Sequence, residues 1–211
     1  MTVTLELHVV ELLCSRLCHD LISPVGAISN GVELIEEMGQ SMADEAMSLI
    51  ADSADQATRR LRLFRVAYGA AGNSGAFTAA EARTVLGAWF KGGRVRLDWP
   101  ADVMPKPDNG VLKLALNLGL LAEEAMPHGG VVAVAAGGDG LALRVTAEGP
   151  TVTLREEVRA ALDGAVTQAE LTPRSVQAYV TGRLAEQCGW RIVIEAKGPE
   201  ALRFRLESRG A

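Results

Sequence analysis

The residues able to do chemistry gather in one stretch, Cys18-His19-Asp20-Leu21-Ile22-Ser23-Pro24. A histidine beside a carboxylate is a combination that suits nucleophilic work. Neutral imidazole offers a lone pair to an electrophile, and a carboxylate at the other ring nitrogen strengthens it and stabilises the charged ring that results. Asp20 is the candidate for that support. Ser23 lies about one helical turn further on, where its hydroxyl reaches oxygens of a group carried on His19. Arg16, about one turn in the other direction, is the candidate to neutralise added negative charge. His8, near a helix start, and His128, in a turn, have no such company.

A long helix over residues 4–38 positions this stretch. At roughly 100° per residue, Val10, Leu13, Cys14, Leu17, Leu21, Val25, Ile28, Val32 and Ile35 fall on one side. His19 falls opposite, with Ser15, Arg16, Ser23, Gly26, Asn30, Glu33 and Glu37 within roughly 60° of it. Pro24 removes one backbone donor and predicts a bend one turn after the histidine. Gly39 ends the helix, and the short connection makes the next one, over 42–68, an antiparallel neighbour. Two such helices bury only part of two apolar stripes. A second copy completes them most simply, as a dimeric four-helix bundle.

Bulk properties narrow the class. The chain has 211 residues, 48% apolar and 22% charged, an ordinary globular composition long enough for a real core. A net charge of -5 argues against nucleic acid as a partner. No stretch is long and apolar enough for a membrane span, and the N-terminus does not resemble a signal peptide. Three cysteines, Cys14, Cys18 and Cys188, form no disulfide framework and suit a reducing cytoplasm. Cys14 and Cys18 lack further ligands for zinc, and their place on the apolar side predicts buried thiols acting as small hydrophobes. No metal site is expected.

Beyond the hairpin the pattern changes. Residues 1–69 form the helical unit and 70–76, rich in Gly and small residues, a linker. Residues 77–211 mix helices over 78–90, 109–125, 153–162 and 173–187 with strands over 94–99, 131–135, 141–147, 190–196 and 201–207. Residues 137–140, Gly-Gly-Asp-Gly, read as a hairpin turn between two of those strands. Thr78 is a candidate N-cap with Glu81 three residues on. Helices grouped with an antiparallel run of strands predict a two-layer α/β sandwich, so the fold class is α + α/β.

His19 through Pro24 resembles the H-box of bacterial sensor histidine kinases: phosphoacceptor His, acidic neighbour, polar residue at plus four, proline at plus five. Leu116-Asn117-Leu118, Ala122-Glu123-Glu124-Ala125 and Gly129-Gly130 are similar to that family's N-box helix and following turn, which implies a Bergerat-like sandwich. The resemblance spans nearly the whole chain, and the first motif is its specific part. Two departures stand out. After the strand ending at Ala147 the chain has Glu148-Gly149-Pro150-Thr151, where a nucleotide site needs an Asp and glycines. Before the last helix it has Thr172-Pro173-Arg174-Ser175, without a glycine to nest a phosphate.

A phosphoacceptor half joined to a degenerate catalytic half resembles the ChpT-type histidine phosphotransferases of alphaproteobacterial phosphorelays, and Leu12 to Arg16 and Pro24 to Ile28 extend the match. The resemblance implies a homodimer that binds no ATP. His19 would take phosphate from the receiver domain of a hybrid histidine kinase and deliver it to response-regulator receivers, whose own acidic pockets carry the Mg ion. The receiver is expected across Ser15, Arg16, Ile22, Gly26 and Asn30, with Ile22 as an apolar anchor. The arginine-rich stretch of the second helix, Arg59 and Arg62 above all, reads either as a solvated face or as a docking surface for an acidic partner. A divergent ATP-dependent kinase and a dimer that sequesters or dephosphorylates response regulators remain alternatives.

Overall fold

The computed structural model describes residues 4–38, 42–73, 77–103, 110–137 and 141–209. The expected connection at 39–41, the last part of the linker (74–76) and the turn at 138–140 lie outside them. α1 (Leu7–Met38) and α2 (Ala43–Ala67) form the antiparallel hairpin. α1 begins three residues later than its apolar pattern suggested. Residues ahead of it are held by another partner: Glu6 N–H donates to Gln168 Oε1 at 2.7 Å, and Gln168 Nε2 to the Thr4 carbonyl at 3.4 Å.

Pro24 sits inside α1 as expected, and is buried. Gly31 lets the helices close up, because a Cβ there would lie 2.6 Å from Ile50 Cγ1. With Val9, Pro24 and Gly31 turned inward, the cysteines do not lie where the stripe predicted. Cys14 and Cys18 are exposed, on a flank shared with exposed Val10, Val25 and Val32, and Cys188 is half-buried. A single α2 is too narrow to cover the whole apolar arc of α1, so one flank is left out.

A 3-10 turn (Ala70–Asn73) leads out of the hairpin, where the composition suggested only linker. The remainder runs α3 (Ala79–Phe90), β1 (Val95–Asp98), α4 (Val111–Glu124), β2 (Gly130–Ala136), β3 (Leu141–Glu148), α5 (Glu156–Leu162), α6 (Val176–Gln187), β4 (Trp190–Ala196) and β5 (Ala201–Ser208). Thr78 does cap α3. Its hydroxyl accepts from Glu81 N–H at 3.2 Å, while Glu81 Oε2 accepts from Thr78 N–H at 2.8 Å. The Thr78 N–H, joined by the Thr78 hydroxyl at 2.9 Å, donates to Glu81 Oε2 and holds the carboxyl below the usual range.

The strands form one mixed sheet in the order β1-β2-β3-β5-β4, with β1 and β2 parallel and the other pairs antiparallel. Alternation assigns its faces. Val132, Val134, Leu143, Val145, Phe204 and Leu206 are buried beneath the helices, and the opposite face carries Arg144, Arg203 and Arg205 with Glu195 and Glu207. The fold is thus helical with one mixed five-stranded sheet, as α + α/β anticipated.

The core does not stop at the linker. Val9 of α1 and Leu63, Phe64, Val66 and Ala67 of α2 are buried in the same apolar cluster as α4 and the sheet. The base of the hairpin is therefore docked on the α/β body. α4 is the middle layer, every residue from Val111 to Ala122 being buried.

Gly129 and Gly130 start β2 with φ of +83° and +155°. A Cβ on Gly129 would also strike the Arg94 carbonyl, which accepts from Gly130 N–H at 3.2 Å. Gly129→Ala combines backbone strain with a backbone clash, and should lower the urea-unfolding free energy by about 2 kcal/mol or more.

Candidate active site

His19 stands on α1 just where the hairpin leaves the α/β body. Its side chain is 89% exposed, and Nδ1 lies 3.5 Å from Asp20 Oδ1. The carboxylate is therefore on the Nδ1 side and Nε2 faces solvent. Ser15, Ser23 and Asn30 are exposed along the same helix, and Ile22 is 69% exposed. A side chain at Gly26 would meet nothing within 4 Å. These positions surround the imidazole with open, mostly small or polar surface. Arg62 of α2 is exposed too.

Two of the expected partner-binding arginines are engaged elsewhere. Arg16 forms an ion pair with Glu124 and donates to the carbonyls of Pro173 and Arg174 at 3.2 and 3.4 Å. Its guanidinium joins α1 to the α/β body, where the helical wheel alone placed it beside His19. Arg59 is 15% exposed, pairs with Asp55 at 3.3 Å, and donates to the carbonyls of Ala88 and Lys91 at 2.9 and 2.8 Å. Those carbonyls close the C-terminus of α3, where a cation is favourable. Tertiary contacts, which no wheel can show, decide both cases.

A second group near His19 escaped the sequence reading. Arg60 donates from Nη1 to the backbone carbonyl of Asp20, and its guanidinium lies 5.8 Å from the centroid of the Trp89 ring. Trp89 Nε1–H donates to Glu123 Oε2 at 2.6 Å. Phe64 packs against Trp89 with ring centroids 5.6 Å apart. Burial pushes the Glu123 carboxyl up, against the opposing pull of the Trp89 hydrogen bond and the nearby Arg60 charge. Arg59, Arg60, Trp89 and Glu123 are among the residues lining a cleft of about 500 Å³ between α2 and the body. The signal was there in principle: Pro24 cannot give the Asp20 carbonyl its helical donor, so a side chain or water is left to meet it.

The region resembling an N-box is closed. Asn117 is 1% exposed, and its amide donates to the carbonyls of Ala67 at 3.1 Å and Lys113 at 2.9 Å. Lys113 Nζ reaches the Gly69 carbonyl at 3.0 Å. Both polar side chains fasten α4 to the end of α2. Gly149 is likewise occupied, its N–H donating to the Glu200 carbonyl at 3.0 Å. No helix among the described residues is long and apolar enough to cross a membrane.

An exposed histidine–aspartate pair on a helical hairpin, braced by an α/β body, marks the chain as a phosphoryl-transfer protein. A family model for the histidine phosphotransferase C-terminal domain matches residues 79–200. The chain is 39% identical over 188 residues to the protein phosphotransferase ChpT of Brucella abortus (strain 2308), covering 88% of both chains. It also matches a solved structure of a bacterial phosphotransferase at 37% identity, with a TM-score of 0.80 and coverage of 97% of this chain and 98% of that one. The chain belongs to the ChpT-type histidine phosphotransferase family and is a phosphotransferase of the phosphorelay kind.

Burial of Glu123 has a measurable consequence. Folded Glu123 holds its proton to higher pH than the unfolded chain does, so its ionisation disfavours the fold as pH rises through and above the ordinary glutamate range, and has no effect below it. Glu123→Gln keeps an acceptor for Trp89 and removes the charge. In urea titrations between about pH 4 and pH 8, the stability of the variant relative to wild type should rise with pH.

Proposed function

We propose that this protein relays phosphoryl groups through His19 between aspartates of receiver domains without using ATP. The observation that carries the reading is the exposed His19 with Asp20 at Nδ1, on a hairpin whose α/β partner buries Asn117 and all of α4 from Val111 to Ala122. Nε2 attacks the phosphorus of a receiver's aspartyl phosphate. The P–O bond breaks as the P–N bond forms, and the receiver carboxylate leaves with the electron pair. Nδ1 keeps its proton toward Asp20, whose charge stabilises the phosphorylated ring. Delivery to the second receiver is the same step reversed. Such chemistry is mostly positioning and electrostatics, and the Mg ion that neutralises the phosphoryl oxygens belongs to the receiver's acidic pocket.

Residues 1–69 carry the phosphoacceptor and the dimer contact, 70–76 connect, and 77–211 form a Bergerat-like body diverted from nucleotide binding to bracing. Receivers dock from the hybrid kinase as donor and from response regulators as acceptors, over Ser15, Ile22, Ser23, Gly26 and Asn30, and the protein works in the cytoplasm. The apolar Ile22 gives that surface its anchor. Arg62, exposed on α2, adds charge for encounter with an acidic partner.

The protein works as a homodimer. Val25 and Val32 of α1 and Met47 and Leu61 of α2 are exposed at 52, 44, 57 and 55%, a spread of large apolar side chains along both helices that a second hairpin covers. Mass measurement at micromolar concentration should give twice the chain mass, and Val25→Glu with Val32→Glu should give the single-chain mass. A wild-type monomer contradicts the bundle.

The relay is tested with a phosphorylated donor receiver, the protein and an acceptor receiver. His19→Ala should abolish transfer between the receivers while leaving the fold intact by circular dichroism. Transfer that persists in the variant contradicts the role of His19. Wild type that merely empties the donor into inorganic phosphate supports a dephosphorylating or sequestering dimer instead.

A further inference from the structure

Inside an α-helix each carbonyl accepts from the N–H four residues on. For Asp20 that residue is Pro24, which has no N–H and whose ring crowds the carbonyl it faces. The carbonyl most deprived of a partner thus belongs to the residue that supports His19. An unpaired backbone acceptor there would either bend the helix or draw in water, and either outcome changes where the Asp20 carboxylate points.

Arg60 fills the gap. Its Nη1 donates to the Asp20 carbonyl from the neighbouring helix. A bare arginine side chain keeps considerable freedom, and holding one guanidinium hydrogen bond in place needs a support behind it. That support comes from the α/β body. The Trp89 ring faces the guanidinium at 5.8 Å, within cation–π range, and the ring is itself fixed by its 2.6 Å hydrogen bond to Glu123 and its packing on Phe64. Glu123 lines the same cleft, close enough for the Arg60 charge to act on its carboxyl. A chain of contacts therefore runs from α4 through α3 and α2 to the peptide group beside His19.

We propose that Arg60 is a positioning residue for phosphoryl transfer, supplying to the Asp20 carbonyl the hydrogen bond that Pro24 withholds, and that Trp89 and Glu123 hold it in register. The α/β body acts on the reaction through this contact without touching the phosphoryl group. The proposal rests on His19 being the phosphoacceptor, yet the bonding pattern has a readout of its own.

The test is a double-variant cycle on the full chain. Arg60→Ala leaves the Asp20 carbonyl unpaired, and Pro24→Ala restores the backbone donor that Arg60 replaces. With a phosphorylated receiver as donor, Arg60→Ala should lower the transfer rate constant at saturating receiver on the order of tenfold to a hundredfold, with little change in the half-saturating concentration. Combining it with Pro24→Ala should recover most of the loss, and Arg60→Lys should recover part. Amide hydrogen exchange over residues 20–26 should speed up in Arg60→Ala and slow again in the double variant, whether or not His19 carries phosphate. Should Arg60→Ala unfold, Arg60→Lys with and without Pro24→Ala serves as the same cycle. A double variant as slow as Arg60→Ala in both transfer and exchange overturns the proposal, as does a loss confined to the half-saturating concentration. Rescued exchange in a protein that never labels at His19 would uphold the bonding pattern and remove the functional reading instead.

Discussion

Burial of α4 between the sheet and the base of the hairpin is the constraint on which the other features depend. Its leucines at 112, 114, 116, 118, 120 and 121 are all buried, at about 1.5–3 kcal/mol for each side chain fully removed from water. One sheet face cannot cover a helix that is apolar all round, so the end of α2 completes the cover with Leu63, Val66 and Ala67. Docking the hairpin there fixes the height at which His19 emerges. It also closes the side of α4 on which Asn117 lies, turning that side chain into a donor to the Ala67 carbonyl. Bracing the helix that carries His19 and burying Asn117 are two results of the same packing.

The seam between hairpin and body is lined with charge. Arg16 and Arg59 cross it and end on the backbone carbonyls of Pro173 and Arg174 and of Ala88 and Lys91, while Arg60 meets the Trp89 ring across it and donates within the hairpin to the carbonyl of Asp20. Carbonyl-directed arginines suit a joint of this kind. They satisfy acceptors at turns and helix ends, where apolar side chains would leave them unpaired, and guanidinium geometry permits two such bonds at once. Tyr68 sits in the same neighbourhood, burial pushing its phenol well up while the charges of Arg16 and Asp20 act in opposite directions. His19 is thus exposed in front, while the helix that carries it is tied to the body behind.

Much of this was legible from the residues. Periodicity located both hairpin helices to within a few residues, and the Thr78–Glu81 spacing predicted a capping box that both hydrogen bonds confirm. The strands of the sheet were placed to within a residue or so from the residue pattern and the glycine turns between them. What stayed hidden came from packing between elements distant in sequence. A helical wheel puts Arg16 beside His19, yet Glu124, more than a hundred residues away, draws it off. The apolar stripe puts Cys14 and Cys18 inside, yet one partner helix covers only part of that stripe. Arg60 looked like one arginine among several, since its importance follows from a missing donor on another helix.

The most direct measurement is phosphorus NMR combined with peptide mapping after the nucleotide-free protein meets a phosphorylated receiver domain. The account predicts a phosphohistidine resonance, acid-labile and base-stable, with the label on the peptide containing His19, and no label on the protein from ATP alone. Labelling of His19 by ATP in the absence of any receiver, or a receiver emptied with no phosphohistidine formed even transiently, would contradict it.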